Sequence, residues 1–424
     1  MQAARSGTCT PLLEKVAGAE GQEAERLLRL VAQGRAAVLC NKKRKGSYPL
    51  AVGEGCRVKV NANLGTSPER ADLGTELEKL RLARAAGADT VMDLSTQGDL
   101  DAIRREIIAA SEMPVGTVPI YQAAVEAVRR GRAVPQMEAE ALFDVIERHA
   151  EDGVDFVTVH CGVTRRSVER LRRQGRVADI VSRGGAFLFE WMLINERENP
   201  LYEQFDRLLD IARRYDLTLS LGDGLRPGAV ADATDRGQLE ELIIIGELAA
   251  EARAQGVQVM IEGPGHVPLD QVEANVILEK RLCQGAPFYV LGPIVTDIAP
   301  GYDHITSAIG GAVAAWCGAD FLCAVSPSEH LGLPTPEDVR QGVLAAKIAA
   351  HAGEVARGCR GALDRDQAMS RFRKLLDWEG QKKCALDPEK VEESRRLRGT
   401  GDEVCSMCGE FCAMKMVGER LKRG

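Results

Sequence analysis

Short β-branched runs alternate with amphipathic helical stretches from about residue 55 to residue 330. This alternation is typical of parallel strands that are joined by helices. The strand candidates are residues 58–63, 90–94, 116–120, 156–160, 217–221, 257–261, 288–291 and 321–325. Eight is the number of strands that a closed barrel requires. A ninth candidate at 179–183 leaves a doubly wound open sheet as the alternative.

The segments between the strand candidates have the apolar spacing of helices. Residues 136–151, 202–215 and 238–255 carry apolar side chains at i, i+3, i+4 and i+7. We predict an α/β fold, a (β/α)8 TIM-type barrel with an N-terminal helical segment, a C-terminal helical segment and a short C-terminal tail. The predicted boundaries are 1–54 for the N-terminal segment, 55–345 for the barrel, 346–400 for the C-terminal helices and 401–424 for the tail.

Charge and hydropathy narrow the classes of partner. The formal net charge of −7 gives no electrostatic reason to expect nucleic acid. Residues 1–15 contain no apolar signal-peptide core, and no apolar run approaches the roughly 20 residues that span a bilayer. We therefore predict a cytoplasmic protein with no nucleic-acid or membrane partner.

Three cysteines close to the C-terminus, Cys405, Cys408 and Cys412, lie within one short run. A chain without secretory features rarely uses a disulfide framework, so this spacing indicates a soft metal or a cluster. Structural zinc takes four protein ligands, and iron–sulfur clusters are commonly held by four cysteines. Three thiols therefore leave one metal position for a ligand that is not protein. Scattered cysteines such as Cys161 and Cys323 are predicted to serve packing.

Unusual polar side chains follow most of the strand candidates. They are Asn63, Met92, Tyr121, His160, Ser182, Arg183, Asp223, Arg226, Glu262, His266 and His330. The C-terminal ends of the strands carry the active site in (β/α)8 barrels. A single residue of this kind is often only a turn or capping residue. Their coincidence predicts an active site at this face.

Two of the six histidines lie in unusual loops. His266 belongs to segment 262–268, whose two glycines and two prolines preclude a helix, and His330 follows the last strand candidate. Together with Glu262 they could hold a divalent metal with open positions. Two independently hydrogen-bonded histidines are the alternative. His149 and His351 lie in helical stretches and are predicted to be structural.

Two glycine-containing segments place an arginine where it could meet an anion. These are Ser182-Arg-Gly-Gly185 and Gly222-Asp-Gly-Leu-Arg-Pro227. Glycines let backbone N–H groups approach a phosphate, and arginine offers a bidentate fork. A tight turn with a structural salt bridge is the alternative. The chain has no phosphate-loop lysine motif and no G-x-G-x-x-G after a first strand, which disfavours nucleoside triphosphates and dinucleotides.

Several longer motifs resemble one known family. They are Glu-Gly-Pro-Gly-His-Val-Pro-Leu at 262–269, Ala-Pro-Phe-Tyr at 286–289, Thr-Asp-Ile-Ala-Pro-Gly-Tyr-Asp-His-Ile-Thr at 296–306, Glu-His-Leu-Gly-Leu-Pro at 329–334 and the cysteine run. Together they resemble the short form of the phosphomethylpyrimidine synthase family of radical S-adenosylmethionine enzymes. The resemblance covers nearly the whole chain. It implies a carbon–carbon lyase that converts 5-aminoimidazole ribotide to 4-amino-5-hydroxymethyl-2-methylpyrimidine phosphate in thiamine biosynthesis.

The resemblance also implies roles for individual residues. The implied ribotide contacts are Asn63, Met92, Tyr121, His160, Ser182, Arg183, Gly184, Asp223, Gly224, Leu225, Arg226, Glu262 and Tyr289. His266 and His330 would bind Zn2+ or Fe2+. Cys405, Cys408 and Cys412 would hold a 4Fe-4S cluster whose unique iron chelates S-adenosylmethionine. A flavodoxin or ferredoxin would supply electrons, and a homodimer would bring the cluster tail near the neighbouring active site.

Other functions remain open at this stage. A paralogous branch converts the same ribotide to 5-hydroxybenzimidazole for anaerobic cobalamin synthesis, and Ala324 and the 42–45 segment differ from the usual pattern of the pyrimidine enzymes. The three residues between Cys408 and Cys412 differ from the four of the long family members and match the short forms. A zinc-dependent barrel hydrolase or aldolase could use Glu262 with the two loop histidines. A redox or zinc sensor built on a barrel is a third, non-catalytic alternative.

Overall fold

The computed structural model describes residues 1–69, 71–398 and 406–421, with side chains up to residue 418. The chain forms two compact units, Met1–Glu354 and Val355–Gly424. No helix in the described part is both long enough and apolar enough to cross a membrane.

The first unit begins with helices and a two-stranded hairpin. Strand β1 (Ala36–Leu39) pairs antiparallel with β2 (Leu50–Gly53), and Ala36 lies opposite Gly53. Both strands are buried. The hairpin was not predicted, because its runs are short and rich in alanine and glycine, which are weak strand formers.

Eight further strands close into a parallel barrel. They are β3 (Lys59–Leu64), β4 (Thr90–Asp93), β5 (Val115–Thr117), β6 (Phe156–Val159), β7 (Thr218–Leu221), β8 (Val259–Gly263), β9 (Phe288–Leu291) and β10 (Phe321–Cys323). The strands follow one another in chain order, and β10 pairs with β3 to close the ring. The predicted (β/α)8 barrel is confirmed, and the open sheet is excluded.

The helices are α1 (Gln2–Arg5), α2 (Pro11–Ala19), α3 (Ala24–Ala32), α4 (Leu73–Ala85), α5 (Leu100–Ala110), α6 (Pro119–Arg129), α7 (Ala139–Asp152), α8 (Arg165–Gln174), α9 (Arg183–Asn195), α10 (Pro200–Glu203), α11 (Phe205–Tyr215), α12 (Arg236–Ala254), α13 (Val272–Leu282), α14 (Asp303–Cys317), α15 (Pro336–Ala356), α16 (Ala362–Leu375), α17 (Trp378–Cys384), α18 (Pro388–Leu397) and α19 (Ala413–Leu421). Short 3-10 turns occur at Val134–Gln136, Val230–Asp232, Leu269–Gln271 and Gly409–Phe411.

The ninth strand candidate, 179–183, is not a strand. Asp179 has a φ of 48°, in the left-handed region that extended strands do not use. Ser182 is the N-cap of α9, and its hydroxyl accepts a hydrogen bond from the Gly185 N–H. The β-branched pair in this segment therefore belongs to the loop that leads into a helix.

Aromatic side chains fill the barrel beneath its C-terminal face. The rings of Tyr289 and Phe321 stack with centroids 4.2 Å apart, and Phe156 meets Phe321 edge-on at 6.4 Å. A Cβ added at Gly116 would lie 2.2 Å from the Phe156 ring, so only glycine fits beside it. This packed interior gives the strand ends a rigid base.

Candidate active site

The C-terminal ends of the barrel strands line a cavity. It has a volume of about 520 Å³, including solvent at its mouth. Eight of the predicted ribotide contacts line it: Asn63, Met92, Tyr121, His160, Asp223, Arg226, Glu262 and Tyr289. A wider cavity of about 1320 Å³ shares Asn63, Tyr121 and Arg226 with it and is also lined by Arg183. The structure thus brings together residues that are separated by more than 200 positions in sequence.

Glu262 is held by hydroxyl groups from the two strands that precede β8 around the barrel. Thr158 Oγ1 and Ser220 Oγ each donate to Glu262 Oε1 at 2.7 Å. Burial raises the pKa of Glu262, and the two hydroxyls act against that rise. Thr158 and Ser220 were not predicted as site residues. Their positions on the two neighbouring strands could have indicated them only after the strand register was known.

Asp223 and Arg226 carry opposite charges into the cavity. Arg226 Nη1 lies 3.5 Å from Asp223 Oδ1, and both side chains are largely buried. Burial raises the pKa of Asp223 well above its ordinary value, and Arg226 opposes the rise. The other carboxylate oxygen, Oδ2, has no hydrogen-bond partner among the described residues. This oxygen is a candidate group for contacting a bound molecule.

His160 lies against the predicted Ser182-Arg-Gly segment. Its Nε2 is 3.3 Å from Ser182 Oγ, and its Nδ1 is buried with no partner in the described part of the chain. Burial lowers the pKa of His160 to about 3, so the imidazole is neutral. A Cβ at Gly184 would lie 2.2 Å from the ring, which explains the glycine at that position.

The two glycine-containing segments pack directly on each other. A Cβ at Gly185 would lie 2.1 Å from the Gly224 carbonyl oxygen, so the two backbones touch. Leu225 is fully buried. Gly224 and Leu225 therefore shape the backbone beside the cavity, whereas Asp223 and Arg226 present their side chains to it.

Aromatic and sulfur contacts order the remaining walls. The Arg183 guanidinium lies 4.9 Å from the centroid of the Tyr121 ring. Tyr289 donates its hydroxyl proton to Met92 Sδ at 3.6 Å. These contacts place the predicted residues in fixed positions before any ligand arrives.

Cys323 was assigned to packing by its scattered position, but it lines the cavity. Asn63 Nδ2 donates to its sulfur at 3.2 Å, and burial raises the pKa of the thiol to about 11. The thiol is therefore protonated at neutral pH. Its location at the C-terminal end of β10 was the one signal in the sequence that could have identified it.

The two loop histidines point their rings at each other. His266 Nε2 and His330 Nε2 are 3.1 Å apart. Asp297 Oδ1 lies 2.7 Å from His266 Nδ1, and Asp303 Oδ1 lies 2.9 Å from His330 Nδ1. A carboxylate behind Nδ1 directs the Nε2 lone pair of a metal-binding histidine. This donor set fits a cation such as Zn2+ between the two rings.

Glu262 does not complete this histidine pair. Its Oε1 is engaged by Thr158 and Ser220, and its side chain lines the barrel cavity. Among the described residues, no group of three or more His, Cys, Asp or Glu side chains is arranged to hold one metal ion. Within the described part of the chain, the candidate cation position is therefore bounded by two imidazoles.

Comparisons with known proteins identify the family. The model of the Radical SAM ThiC family matches residues 1–419. Phosphomethylpyrimidine synthase of Moorella thermoacetica is 61% identical over 99% of this chain and 98% of its own length. The chain belongs to the Radical SAM ThiC family. The same-named protein of Desulforudis audaxviator is 60% identical, with coverage of 99% and 98%.

A solved structure gives a much weaker likeness. Dihydropteroate synthase of Coxiella burnetii aligns with 70% of this chain and 94% of its own, at 11% identity and a TM-score of 0.40. This likeness is too low to inform the fold or the function.

The family match is what decides the reaction class, and it makes this protein a radical S-adenosylmethionine enzyme of the phosphomethylpyrimidine synthase type.

The family assignment implies a 4Fe-4S cluster and S-adenosylmethionine. Of the three predicted cluster ligands, Cys408 is exposed and Cys412 is buried just before α19. Cys405 lies outside the described residues. A metal-dependent hydrolase, a sensor and the benzimidazole branch receive no support from these relatives, which are named phosphomethylpyrimidine synthase.

Proposed function

We propose that this enzyme converts 5-aminoimidazole ribotide to 4-amino-5-hydroxymethyl-2-methylpyrimidine phosphate in thiamine biosynthesis. The observation that carries the proposal is the single cavity in which eight of the predicted ribotide contacts meet. The relatives that match almost the full chain bear the corresponding name.

Arginine side chains would receive the anionic phosphate of the ribotide. Arg226 lines both cavities, and Arg183 lines the wider one. Their guanidinium groups offer fork-shaped donors to a phosphate, and the net negative charge of the chain makes such local cations necessary. We place the phosphate toward the wider cavity and the imidazole toward the barrel axis.

The carboxyl groups would handle protons near the ring. Burial raises the pKa of both Glu262 and Asp223, which favours their protonated forms. His160 is neutral and can exchange a hydrogen bond without adding charge. These groups would bind the ribotide, keep it oriented and move protons while the cavity excludes water.

The cofactors would be held by the C-terminal cysteines. Cys405, Cys408 and Cys412 would bind the 4Fe-4S cluster and leave one iron position for S-adenosylmethionine. When bound, this pair would supply a carbon-centred radical that starts the rearrangement. A flavodoxin or ferredoxin is the proposed electron donor.

The histidine pair is proposed to hold Zn2+. The support is the facing pair of Nε2 atoms with Asp297 and Asp303 behind them. Two protein ligands alone leave open positions for water or for a group of the ribotide.

A homodimer is proposed as the working form. The support is a set of exposed apolar side chains on α14, namely Ile305, Ile309 and Trp316, which are 47%, 48% and 56% exposed. Exposed apolar groups of this size are typical of interaction surfaces. Light scattering after size exclusion should give twice the 45.9 kDa chain mass, and Trp316→Glu should lower it, whereas a monomeric wild-type protein would refute the proposal.

The central experiment is product identification. Anaerobically reconstituted protein is incubated with aminoimidazole ribotide, S-adenosylmethionine and a strong reductant, and the products are analysed by mass spectrometry. A phosphorylated hydroxymethylpyrimidine supports the proposal. Formation of 5-hydroxybenzimidazole, or no consumption of ribotide, contradicts it. Omission of S-adenosylmethionine is the matched control.

A further inference from the structure

Residues Asp223–Arg226, here called the 223–226 loop, are fixed from two sides by side chains outside the predicted site. Glu241 Oε2 on α12 accepts a hydrogen bond from the Leu225 N–H at 2.7 Å. Arg176 Nη2 donates to the Leu225 carbonyl at 2.6 Å, and Arg176 Nη1 donates to the Arg226 carbonyl at 3.3 Å. Both polar groups of the Leu225 peptide segment are thereby engaged.

Both contacts are linked to the N-terminal part of α12, although Arg176 itself follows α8. Arg176 is buried and forms a bidentate pair with Asp235, with both nitrogen–oxygen distances at 2.7 Å. Asp235 also caps α12 by accepting the Gln238 N–H at 2.8 Å. Glu241 lies a turn and a half further along the same helix. The first turns of α12 therefore fix the 223–226 loop in two ways. Asp235 holds the Arg176 guanidinium that contacts the loop, and the Glu241 carboxyl group contacts the loop directly.

Glu241 is an unusual residue for a barrel helix. It is 1% exposed, and its Oε1 has no hydrogen-bond partner among the described residues. Burial raises the pKa of Glu241 to about 8. A buried carboxyl group with an unsatisfied oxygen lowers the stability of the fold, so its contact with the Leu225 backbone is its main structural contribution.

The surroundings leave little space for the loop to move. A Cβ at Gly224 would lie 2.2 Å from Val163 Cγ2, and a Cβ at Gly162 would lie 2.8 Å from Glu241 Cγ. Glu241 and Asp223 also line one small cavity together with Glu262. Movement of Glu241 would therefore be transmitted to the two carboxyl groups of the active site.

We propose that Glu241 and Arg176 are positioning residues for ribotide binding, because they set the backbone from which Asp223 and Arg226 reach into the cavity. The inference rests on the proposed function, in which Asp223 and Arg226 contact the ribotide. A misplacement of about 1 Å at such a group can lower the rate by about a hundredfold. Loss of the Glu241 contact or of the Arg176 contact should thus weaken ribotide binding and slow turnover without abolishing binding.

The test compares three substitutions at Glu241 with one control. Glu241→Gln keeps an acceptor for the Leu225 N–H, Glu241→Asp withdraws it by one methylene, and Glu241→Leu removes it. Glu240→Gln is the matched control, because Glu240 is the next residue on α12 and its carboxylate pairs with Arg166 and Arg170 instead. Ribotide affinity is measured by titration calorimetry on the full chain, and kcat and KM are measured after reconstitution.

The expected order is specific to a positioning role. Glu241→Leu and Glu241→Asp should raise the ribotide Kd at least about tenfold and lower kcat, whereas Glu241→Gln should stay within about threefold of wild type. Arg176→Lys should also raise the Kd, since lysine cannot form the fork. Glu240→Gln should leave both constants unchanged.

The outcomes separate this inference from the proposed function. Wild-type protein that binds no ribotide would overturn both. Wild-type binding with an unchanged Kd in the Leu and Asp variants would overturn the positioning role alone. If Glu241→Leu does not fold, the contrast between the Gln and Asp variants decides, and equal Kd values for these two would contradict the inference.

Discussion

The barrel cavity and the cysteine run are built in opposite ways. The cavity draws its groups from many strands, and residues far apart in sequence hold some of them, as Thr158 holds Glu262 across 104 positions. Cys408 and Cys412 lie four positions apart, and their neighbours Met407 and Phe411 are 91% and 84% exposed. The cavity is a product of the whole fold, whereas the thiol site is a short local motif.

This difference predicts how the two regions respond to change. Groups in the cavity are fixed by buried hydrogen bonds, so their arrangement exists without a ligand. Thiolates at close spacing repel one another unless a metal neutralises them, so the arrangement of the cysteine run would depend on the proposed cluster. Substitutions in the cysteine run should abolish pyrimidine formation and leave ribotide binding intact. Substitutions of the residues that support the cavity should reduce both turnover and ribotide affinity, but only in part.

The largest expected effect is at the cysteine run. Cys408→Ser should abolish pyrimidine formation and reduce the iron content, because the remaining thiols cannot hold the cluster. The ribotide Kd should stay within about twofold of wild type, since the barrel is a separate compact unit. Iron analysis, product yield and calorimetry provide the measurements.

Cys384→Ala is the matched control for this experiment. Cys384 is the last residue of α17 in the same unit and does not belong to the run. It should keep full iron content and activity. A Cys408→Ser variant with wild-type iron and turnover would remove the contrast between the two regions.

The second-largest effect is expected at the histidine pair, His266 and His330. His330→Ala should lose most bound zinc, because one imidazole cannot retain the ion, while the iron content stays the same. Asp303→Asn should weaken zinc binding by about 10- to 100-fold, because the Asp303 side chain orients His330 and is not itself a proposed zinc ligand. Both are measured by metal analysis after dialysis against a chelator.

A histidine outside this pair serves as the comparison. His351 lies on α15, and the variant His351→Ala should leave the zinc content unchanged. Zinc stoichiometry that does not change in His330→Ala would exclude the two-histidine site. A larger loss in Asp303→Asn than in His330→Ala would reverse the assigned roles.

The sequence allowed prediction of the barrel and of most cavity residues for physical reasons. Buried parallel strands are β-branched runs, and their C-terminal ends meet at one face, so Asn63, His160 and Glu262 could be grouped without coordinates. Segment 179–183 was ambiguous because a helix cap and a strand end share residue types until the backbone is known.

The supporting shell could not be predicted from the sequence. Asp297 and Asp303 are ordinary loop and helix-start residues until folding places them behind His266 and His330. Glu241 has the sequence context of a common helix residue, and only its burial distinguishes it. Such contacts depend on three-dimensional register, which local patterns do not encode.

A smaller effect is expected where the cavity is supported from behind. Thr158→Val removes one of the two hydroxyls on Glu262 Oε1, and Ser220→Ala removes the other. Each should lower kcat/KM by about 5- to 30-fold, corresponding to about 1–2 kcal/mol for one buried hydrogen bond to a carboxyl group. Steady-state kinetics at saturating S-adenosylmethionine provides the measurement.

The double variant sharpens the result. Because both hydroxyls contact one oxygen, the combined loss should differ from the product of the two single losses. Thr218→Val is a suitable control, since Thr218 is an equally buried threonine on β7 whose hydroxyl has no hydrogen-bond partner among the described residues. Wild-type kinetics in both single variants would show that Glu262 does not depend on this support.

The smallest effect tests the barrel scaffold alone, through a buried carboxyl group outside the cavity. Burial raises the pKa of Glu279 on α13 to about 8, and Lys280 opposes the rise. A raised carboxyl pKa means that the folded state binds the proton more tightly than the unfolded state does. This contribution to stability is complete below the ordinary value of about 4.5 and falls as pH rises toward 8.

Thermal unfolding at pH 5, 6.5 and 8 is the measurement. The Tm of Glu279→Gln should rise relative to that of the wild type as pH increases, by a few degrees at most. Ribotide affinity should not change, because Glu279 does not line the cavity. Parallel unfolding curves for the two proteins across this range would mean that the carboxyl group is already ionised in the fold.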